Sequence, residues 1–321
     1  MQSEPRIAVV GAGIAGLACA RTLHDQGYAV RLFDKSRGLG GRLATRRVGD
    51  LAFDHGAQYV TARDPRFVRQ VEDWAAQRVV AAWQPRGRAS AEPWWVGAPR
   101  MTALARHVAA GLDVTGEVAV KAVAHGHDRW QVRADDQAYG PFDAVVVAVP
   151  APQAVPLLDA SAALAAAAGR AVMQPCWAAL VALPTTLDLP DVLRPEDGPL
   201  AWLARDASKP GRAPGERWVL HASPSWSASN LERSPADVLP ELLQGLGTVA
   251  NETLAEPTYA AAHRWRYALA AQPVGEDCLF DADLGLAACG DWCLGGRVEA
   301  AWLSGQAVAG RIVNWAAERA G

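Results

Sequence analysis

The stretch that decides the fold is "IAVVGAGIAG", Ile7 to Gly16. "IAVV" is a short apolar run, the mark of a strand buried on both faces of a parallel sheet. It runs directly into Gly11, Gly13 and Gly16, spaced G-x-G-x-x-G. "LACARTLHDQG" follows with Leu17, Ala20 and Leu23 on one helical side and Gly27 as a stop. "AVRLFD", Ala29 to Asp34, reads as a second strand. The glycines therefore lie between strand and helix in a βαβ unit, which predicts a dinucleotide site. Gly11 allows the tight turn, Gly13 lets a pyrophosphate approach the backbone, and Gly16 lets the helix pack close to the strand. The first amides of the helix favour phosphate. Asp34 stands 23 positions after Gly11, close to the offset of roughly 20 at which an acid holds ribose hydroxyls.

Past Asp34 the chain continues "KSRGLGGR", with Gly40, Gly41 and Arg42. A nicotinamide dehydrogenase needs no Gly-Gly-Arg there. Arginine offers a fixed fork of donors to phosphate oxygens. The extended motif resembles the flavoprotein amine oxidase superfamily, whose fingerprint continues into Gly-Gly-Arg beside the FAD pyrophosphate.

The chain has 321 residues, half of them hydrophobic, enough for one large or two interlocked domains. A net charge of −3 gives no basic field for nucleic acid. The five cysteines form no C-x-x-C and no disulfide framework, which suggests reduced thiols and a cytoplasmic setting. "MQSEPR" is not a basic leader, and no apolar run reaches a membrane span. Tryptophan supplies 13 of the 23 aromatics. Trp74, Trp83, Trp94, Trp95, Trp177, Trp202, Trp226 and Trp265 lie outside the first βαβ unit. Most are expected in the core, with two or three lining a site for a planar ligand.

"DPRFVRQVEDWAAQR" predicts a helix starting at Asp64-Pro65, "PWWVG" a short strand, and "PRMTALARHVAAGL" a helix near Pro99. "EVAVKAVAHG" and "RWQVRAD" predict an antiparallel pair turning through "HGHD". His125 and His127 in that turn read as an exposed hairpin, not a metal site. "FDAVVVAVP" predicts a strand that rejoins the parallel sheet. The strand-like "WAALVAL", "LAWLAR", "RWVLHAS" and "AHRWRYALA", with helical "PADVLPELLQGLGTVA", predict an antiparallel α+β substrate domain. "GLAACGDW" and "GGRVEAAWLSGQAVAGRIVNWAAER" return to the cofactor side as a strand and a long helix. The expected fold is α/β and interleaved. A Rossmann-type FAD-binding domain takes 1–60, 96–150 and 276–321. An antiparallel-sheet substrate domain takes 61–95 and 151–275.

Together "VVGAGIAGLACA", "DKSRGLGGR", "FDHGAQYVTA", "HRWRYA" and "ACGDWCLGGRVEAAWLSG" resemble the renalase family, a branch of the flavin amine oxidases. The resemblance implies a two-domain hydroxybenzoate-hydroxylase-like fold with non-covalent FAD, since the attachment motif of monoamine oxidases is unmatched at Cys293. It implies FAD contacts at Gly11, Gly13, Ala15, Gly16, Asp34, Lys35, Gly41, Arg42, His55, Gly56, Ala57, Gln58, Gly290, Asp291, Arg297 and Val298. Asp54 to Tyr59 would border the isoalloxazine, and amides after Gly295-Gly296 would favour negative charge on reduced flavin.

A second G-x-G-x-x-G unit for NAD(P)H is missing from the sequence, which argues for dioxygen as electron acceptor. The resemblance implies a small-molecule substrate, the 2- and 6-dihydro isomers of NAD(P). Aromatisation drives such a hydride transfer, so positioning matters more than a general base. Tyr59, His221, Trp265, Arg266 and Tyr267 are the candidate substrate contacts. Arg63, Arg66, Arg86, Arg88 and Arg100 could place positive charge at the pocket mouth. Oxidation of a small amine stays open, as does a flavin-binding protein without turnover. No nucleic acid or membrane partner is expected, and the oligomeric state is left open.

Overall fold

The structure is a computed structural model that describes residues 5–88, 92–126 and 129–320. His127 and Asp128 of the "HGHD" turn lie outside the described residues. The chain forms two compact units, Met1–Gly41, Ala105–Met173 and Ala270–Gly321 in one, and Arg42–Leu104 and Gln174–Leu269 in the other.

The first unit is built on a six-stranded sheet. Its order is Leu279–Asp281, Leu286–Ala288, Ala144–Val147, Arg6–Val10, Ala29–Phe33 and Asp113–Thr115. Arg6–Val10 runs parallel to both neighbours, and Ala144–Val147 runs parallel to Leu286–Ala288. Ile7 to Val10 and Ala144 to Val147 are buried throughout, as apolar strands covered on both faces must be. Helix Ile14–Asp25 follows the glycine turn, and helix Val298–Ala320 closes the unit. A Cβ at Gly305 would lie 2.2 Å from the Ala15 carbonyl oxygen, so glycine lets the two helices touch. The strands Ala122–Gly126, Arg129–Ala134 and Gln137–Phe142 form a small antiparallel sheet. Phe33, Trp130, Phe142, Val147, Leu158 and Trp292 share one apolar cluster in this unit.

The second unit carries a five-stranded sheet, ordered Val192–Leu193, Leu200–Arg205, Glu216–Ala222, Val172–Leu183 and Tyr259–Gln272. Trp177, Leu203, Trp218 and Leu220 pack with Val238, Leu242 and Leu246 of helix Pro235–Ala250. Ser234 and Asp237 close a capping box at that helix start. Helix Pro65–Ala76 begins where Asp64 accepts the Arg66 amide at 2.8 Å. Hairpin Val80–Trp83 with Trp94–Gly97 follows it.

The unit boundaries depart from the sequence-based ones. Residues 42–60 and 96–104 belong with the antiparallel sheet, and 151–173 and 270–275 belong with the parallel one. The reason is apolar packing. Phe53, on the hairpin of Thr45–Val48 and Leu51–Asp54, packs with Leu180, Ala182 and Val219. Ala151, Ala154, Leu157, Leu164 and Ala168 join the cluster of the parallel sheet.

Candidate functional site

In the first unit, Gly11 has φ +108°, and a Cβ there would lie 2.6 Å from the Ala148 carbonyl oxygen. A Cβ at Gly16 would lie 2.0 Å from the Gly11 carbonyl oxygen. Both glycines are demanded by the chain's own packing. Gly13 is different. Its φ of −72° suits any residue, and a Cβ would meet no atom within 4 Å. Nothing in the protein requires glycine there, whereas a ligand approaching the backbone would. Gly13 also caps helix Ile14–Asp25 without a side chain, so the cap satisfies none of the first amides. Ala15 is buried in that first turn.

Asp34 ends the second strand with its carboxylate fixed, Oδ2 accepting the Ala12 amide and Oδ1 the Ser36 amide, each at 2.7 Å. Each oxygen keeps a further lone pair for ribose hydroxyls. Lys35 is exposed. The Gly40 amide donates to the Ala12 carbonyl at 2.9 Å, and Gly41, at φ +52°, lies over Gly13. The Gly-Gly step thus folds back onto the glycine turn. This cradle fits a dinucleotide pyrophosphate.

At the other end of this unit, Gly290 donates its amide to Ser304 Oγ at 3.1 Å, and Asp291 is buried at the start of a short helix, Asp291–Leu294. Arg297 is paired with the buried Glu299 at 3.1 Å, and Val298 opens the long helix. Cys293 is buried, and burial pushes its thiol up to about 12.

In the second unit, residues 54–58 are clamped from every side. The Arg42 carbonyl accepts the Ala57 amide at 2.8 Å, and a Cβ at Gly56 would lie 2.0 Å from that oxygen. The Arg42 guanidinium donates to the Ala268 carbonyl at 2.9 Å. The His55 carbonyl accepts from Trp265 Nε1 at 2.9 Å and faces His221 Nε2 at 3.1 Å. Gln58 is buried, donates to the Gly56 carbonyl at 3.0 Å and to the Asp54 carbonyl, and accepts from Lys209 at 3.1 Å.

Beneath this segment lies a buried charge cluster that the sequence reading did not single out. Lys209, its side chain fully buried, sits 2.7 Å from Asp206 and 3.5 Å from Asp54. Arg212 also pairs with Asp54 and donates to the Gly97 carbonyl at 2.7 Å. Thr45 and the Met101 amide complete the Asp54 shell. Burial pushes Asp54 up, yet Lys209 and Arg212 hold it below its ordinary value. Burial raises Asp206, with Lys209 opposing. A cavity of about 180 Å³ beside the cluster is lined by Asp50, Arg100, Arg212 and Arg217.

His221 and Trp265 thus meet at one carbonyl, and the rings of His55, His263 and Trp265 pack around it, His263 edge-on to the other two and His55 tilted against Trp265, ring centres 4.4 to 5.0 Å apart. Burial drives His55 down to about 3, helped by His263 and His221, and His221 down to about 4. The imidazoles are neutral near pH 7. His263 escaped sequence reading, although it shares a strand face with Trp265 and Tyr267 at period two. Arg266, on the opposite face, is paired with Glu232 at 2.6 and 2.9 Å, so the structure does not bring it to the aromatic set.

Tyr59 stands in a separate cluster. It stacks on Trp94 with ring centres 4.0 Å apart and meets Trp202 at 5.7 Å. Trp83 adjoins Trp94 at 5.7 Å. Trp74 and Trp177 are core residues, as most tryptophans were expected to be. Three arginines of the supposed pocket mouth have acidic partners, Arg63 with Glu92, Arg66 with Asp64 and Arg86 with Asp191. Arg88 lies over Trp94.

Residues 9–74 match a family model for an NAD(P)-binding Rossmann-like domain. Residues 94–313, more than half of the chain, match the model for flavin containing amine oxidoreductase. A segment of 71 residues is 37% identical to protoporphyrinogen oxidase 2 of Arabidopsis thaliana, but spans only 22% of this chain and 14% of that protein. A putative protoporphyrinogen oxidase from Exiguobacterium has a similar fold, at TM-score 0.80 and 13% identity, covering 97% of this chain and 99% of that one. Cyclohexylamine oxidase from Brevibacterium oxydans, at TM-score 0.75 and 14% identity, shares the fold over 97% and 99%. Among the described residues no helix is long and apolar enough to cross a membrane. The chain belongs to the flavin-containing amine oxidoreductase family and is an FAD-dependent oxidoreductase.

Proposed function

We propose that the protein is a renalase-like oxidase that takes a hydride from a small reduced ring, best represented by the 2- and 6-dihydro isomers of NAD(P). Gly11, Gly13, Gly16, Asp34 and Gly41 of the first unit hold the FAD, and the aromatic residues of the second unit receive the substrate. FAD held there would supply a two-electron acceptor that dioxygen can reoxidise with release of hydrogen peroxide. The balance is dihydronicotinamide, O2 and one proton giving the nicotinamide cation and H2O2.

One observation supports this reading above others. Two of the titratable groups near the aromatic set, His221 and Lys209, are already engaged by the protein. His221 faces the His55 carbonyl at 3.1 Å, and Lys209 is spent on Asp206, Asp54 and Gln58. Burial leaves His55 and His221 feeble bases, at about 3 and about 4. A reaction driven by aromatisation needs position, not a base. His221 and Trp265 then act as positioning residues through the His55 carbonyl.

Oxidation of a small amine is the second reading, favoured by the family description and by the shared fold with cyclohexylamine oxidase. Anaerobic stopped-flow mixing separates the two. Fast loss of the oxidised flavin band with 2- or 6-dihydro-NAD(P), and slow or no loss with 4-dihydro-NADH, is expected. Bleaching by simple amines and not by the nicotinamide isomers assigns the protein to amine oxidation.

A further inference from the structure

The cluster of Tyr59, Trp94 and Trp202 carries more polar chemistry than an aromatic wall needs. Trp202 is only 7% exposed, and its Nε1–H is buried without a hydrogen-bond partner. Buried indole donors are ordinarily satisfied, so an orphan marks an acceptor supplied by something else. Arg194, on the exposed turn after strand Val192–Leu193, lays its guanidinium over the Trp202 ring at 4.5 Å. Its Nη2 donates to the Tyr59 hydroxyl at 3.2 Å. Tyr59 Oη therefore accepts from Arg194, and its own proton has no acceptor among the described residues.

The Arg194 guanidinium and the Tyr59 hydroxyl meet at 3.2 Å, and the Trp202 ring packs against both. The Tyr59 oxygen accepts from Arg194, which leaves its own proton and the other guanidinium N–H groups to donate. A corner rich in donors recognises a group made of acceptors, above all an anionic oxygen. The ring faces argue the same way. Arg194 covers Trp202, and Arg88 covers Trp94 at 5.4 Å. The cation sites of the aromatic faces are thus taken by the protein's own charges, and an arriving ammonium would meet like charge. Of the nearest acids along the chain, Asp191 pairs with Arg86 and Arg205, and neither Glu196 nor Asp197 pairs with Arg194 among the described residues.

We propose that Arg194, Tyr59 and Trp202 form an anion-recognising corner that takes a phosphate or carboxylate group of the substrate. The proposal deepens the proposed function, and rests on it only for the identity of the ring attached to the anion. Arg194 is then a specificity-determining residue, and the corner selects against unphosphorylated, cationic amines.

The test uses FAD-saturated protein and needs no turnover. Tryptophan fluorescence is followed while inorganic pyrophosphate, or acetate, is titrated into wild type, R194Q and W202F. Arg194 is exposed, so R194Q should fold, and W202F keeps the ring while removing the orphan donor. Saturable binding of either anion, weakened roughly tenfold by R194Q and less by W202F, is the expected result. Preference for pyrophosphate identifies a phosphate group, and preference for acetate a carboxylate; both support the corner. R194Q should also raise KM for the dihydronicotinamide dinucleotide while kcat stays, the sign of lost binding remote from the reacting carbon. Absent binding of both anions, or binding that R194Q and W202F leave unchanged, overturns the proposal. Bleaching by amines alone would remove the proposed reaction yet leave the anion titration standing, so the two failures are separable.

Discussion

The glycine cradle of the first unit and the clamped segment 54–58 of the second hold their shapes by opposite means. The cradle is made of backbone. Gly11 and Gly16 fit because they have no Cβ, and Gly13 leaves open space at the helix start. Segment 54–58 is made rigid by side chains brought from far along the chain: Lys209, Arg212, His221 and Trp265. A backbone cradle binds whatever carries a pyrophosphate, so it is indifferent to the chemistry attached to it. A side-chain clamp fixes atoms individually, and in the proposed function it is this clamp that would set which ring carbon is presented.

The strongest way to break that contrast is at Lys209. Lys209→Met leaves Asp54 and Asp206 buried with one cation fewer. Breaking a buried pair on one side costs about 3–5 kcal/mol, read as a lowered urea midpoint. An unchanged midpoint would mean the cluster is not holding segment 54–58. In the first unit the corresponding change is Gly13→Leu. Its side chain meets no protein atom at Cβ, so the apoprotein should unfold as wild type does. Flavin retained after gel filtration should fall, with affinity down about a hundredfold or roughly 2.7 kcal/mol. Full flavin content in that variant would show that the open space at Gly13 is not where the pyrophosphate lies.

The two regions were unequally legible in the sequence for the same physical reason. Strand, glycines, helix and Asp34 are contiguous from Ile7 to Asp34, so spacing alone reports the cradle. The strand Ala144–Val147 was readable as a return to the sheet because it is apolar throughout. Lys209 sits in "RDASKPGR", which looks like a solvated loop, and only the fold buries it. Trp202 and Tyr59 stand 143 positions apart, and an excess of tryptophan cannot say which of them meet. Arg42 was readable by its motif, but its hydrogen bond to Ala268, 226 positions away, was not. The boundaries slipped where Phe53 and Ala151–Ala154 choose their apolar neighbours across long separations.

A smaller effect sharpens the picture of the neutral histidines. Burial holds His221 at about 4 in the folded protein, against about 6.5 when unfolded. Between those values the unfolded chain binds a proton that the folded one does not. His221 therefore costs no stability above about pH 6.5, and stability is lost as pH falls from there towards 4. Unfolding measured at about pH 4.5 should show His221→Gln recovering about 2 kcal/mol of that acid loss. An identical pH dependence in variant and wild type would mean that His221 is charged in the fold.

In the proposed function the second unit positions the substrate without moving a proton. The most direct measurement is the rate of anaerobic flavin reduction by the 6-dihydro isomer of NAD(P), at saturation, from about pH 6 to about pH 9. His55 and His221 titrate near 3 and 4, below that window. A flat profile is expected. A limb of unit slope within the window, abolished by substituting one side chain of the clamp, would contradict it and make that side chain an acid or base.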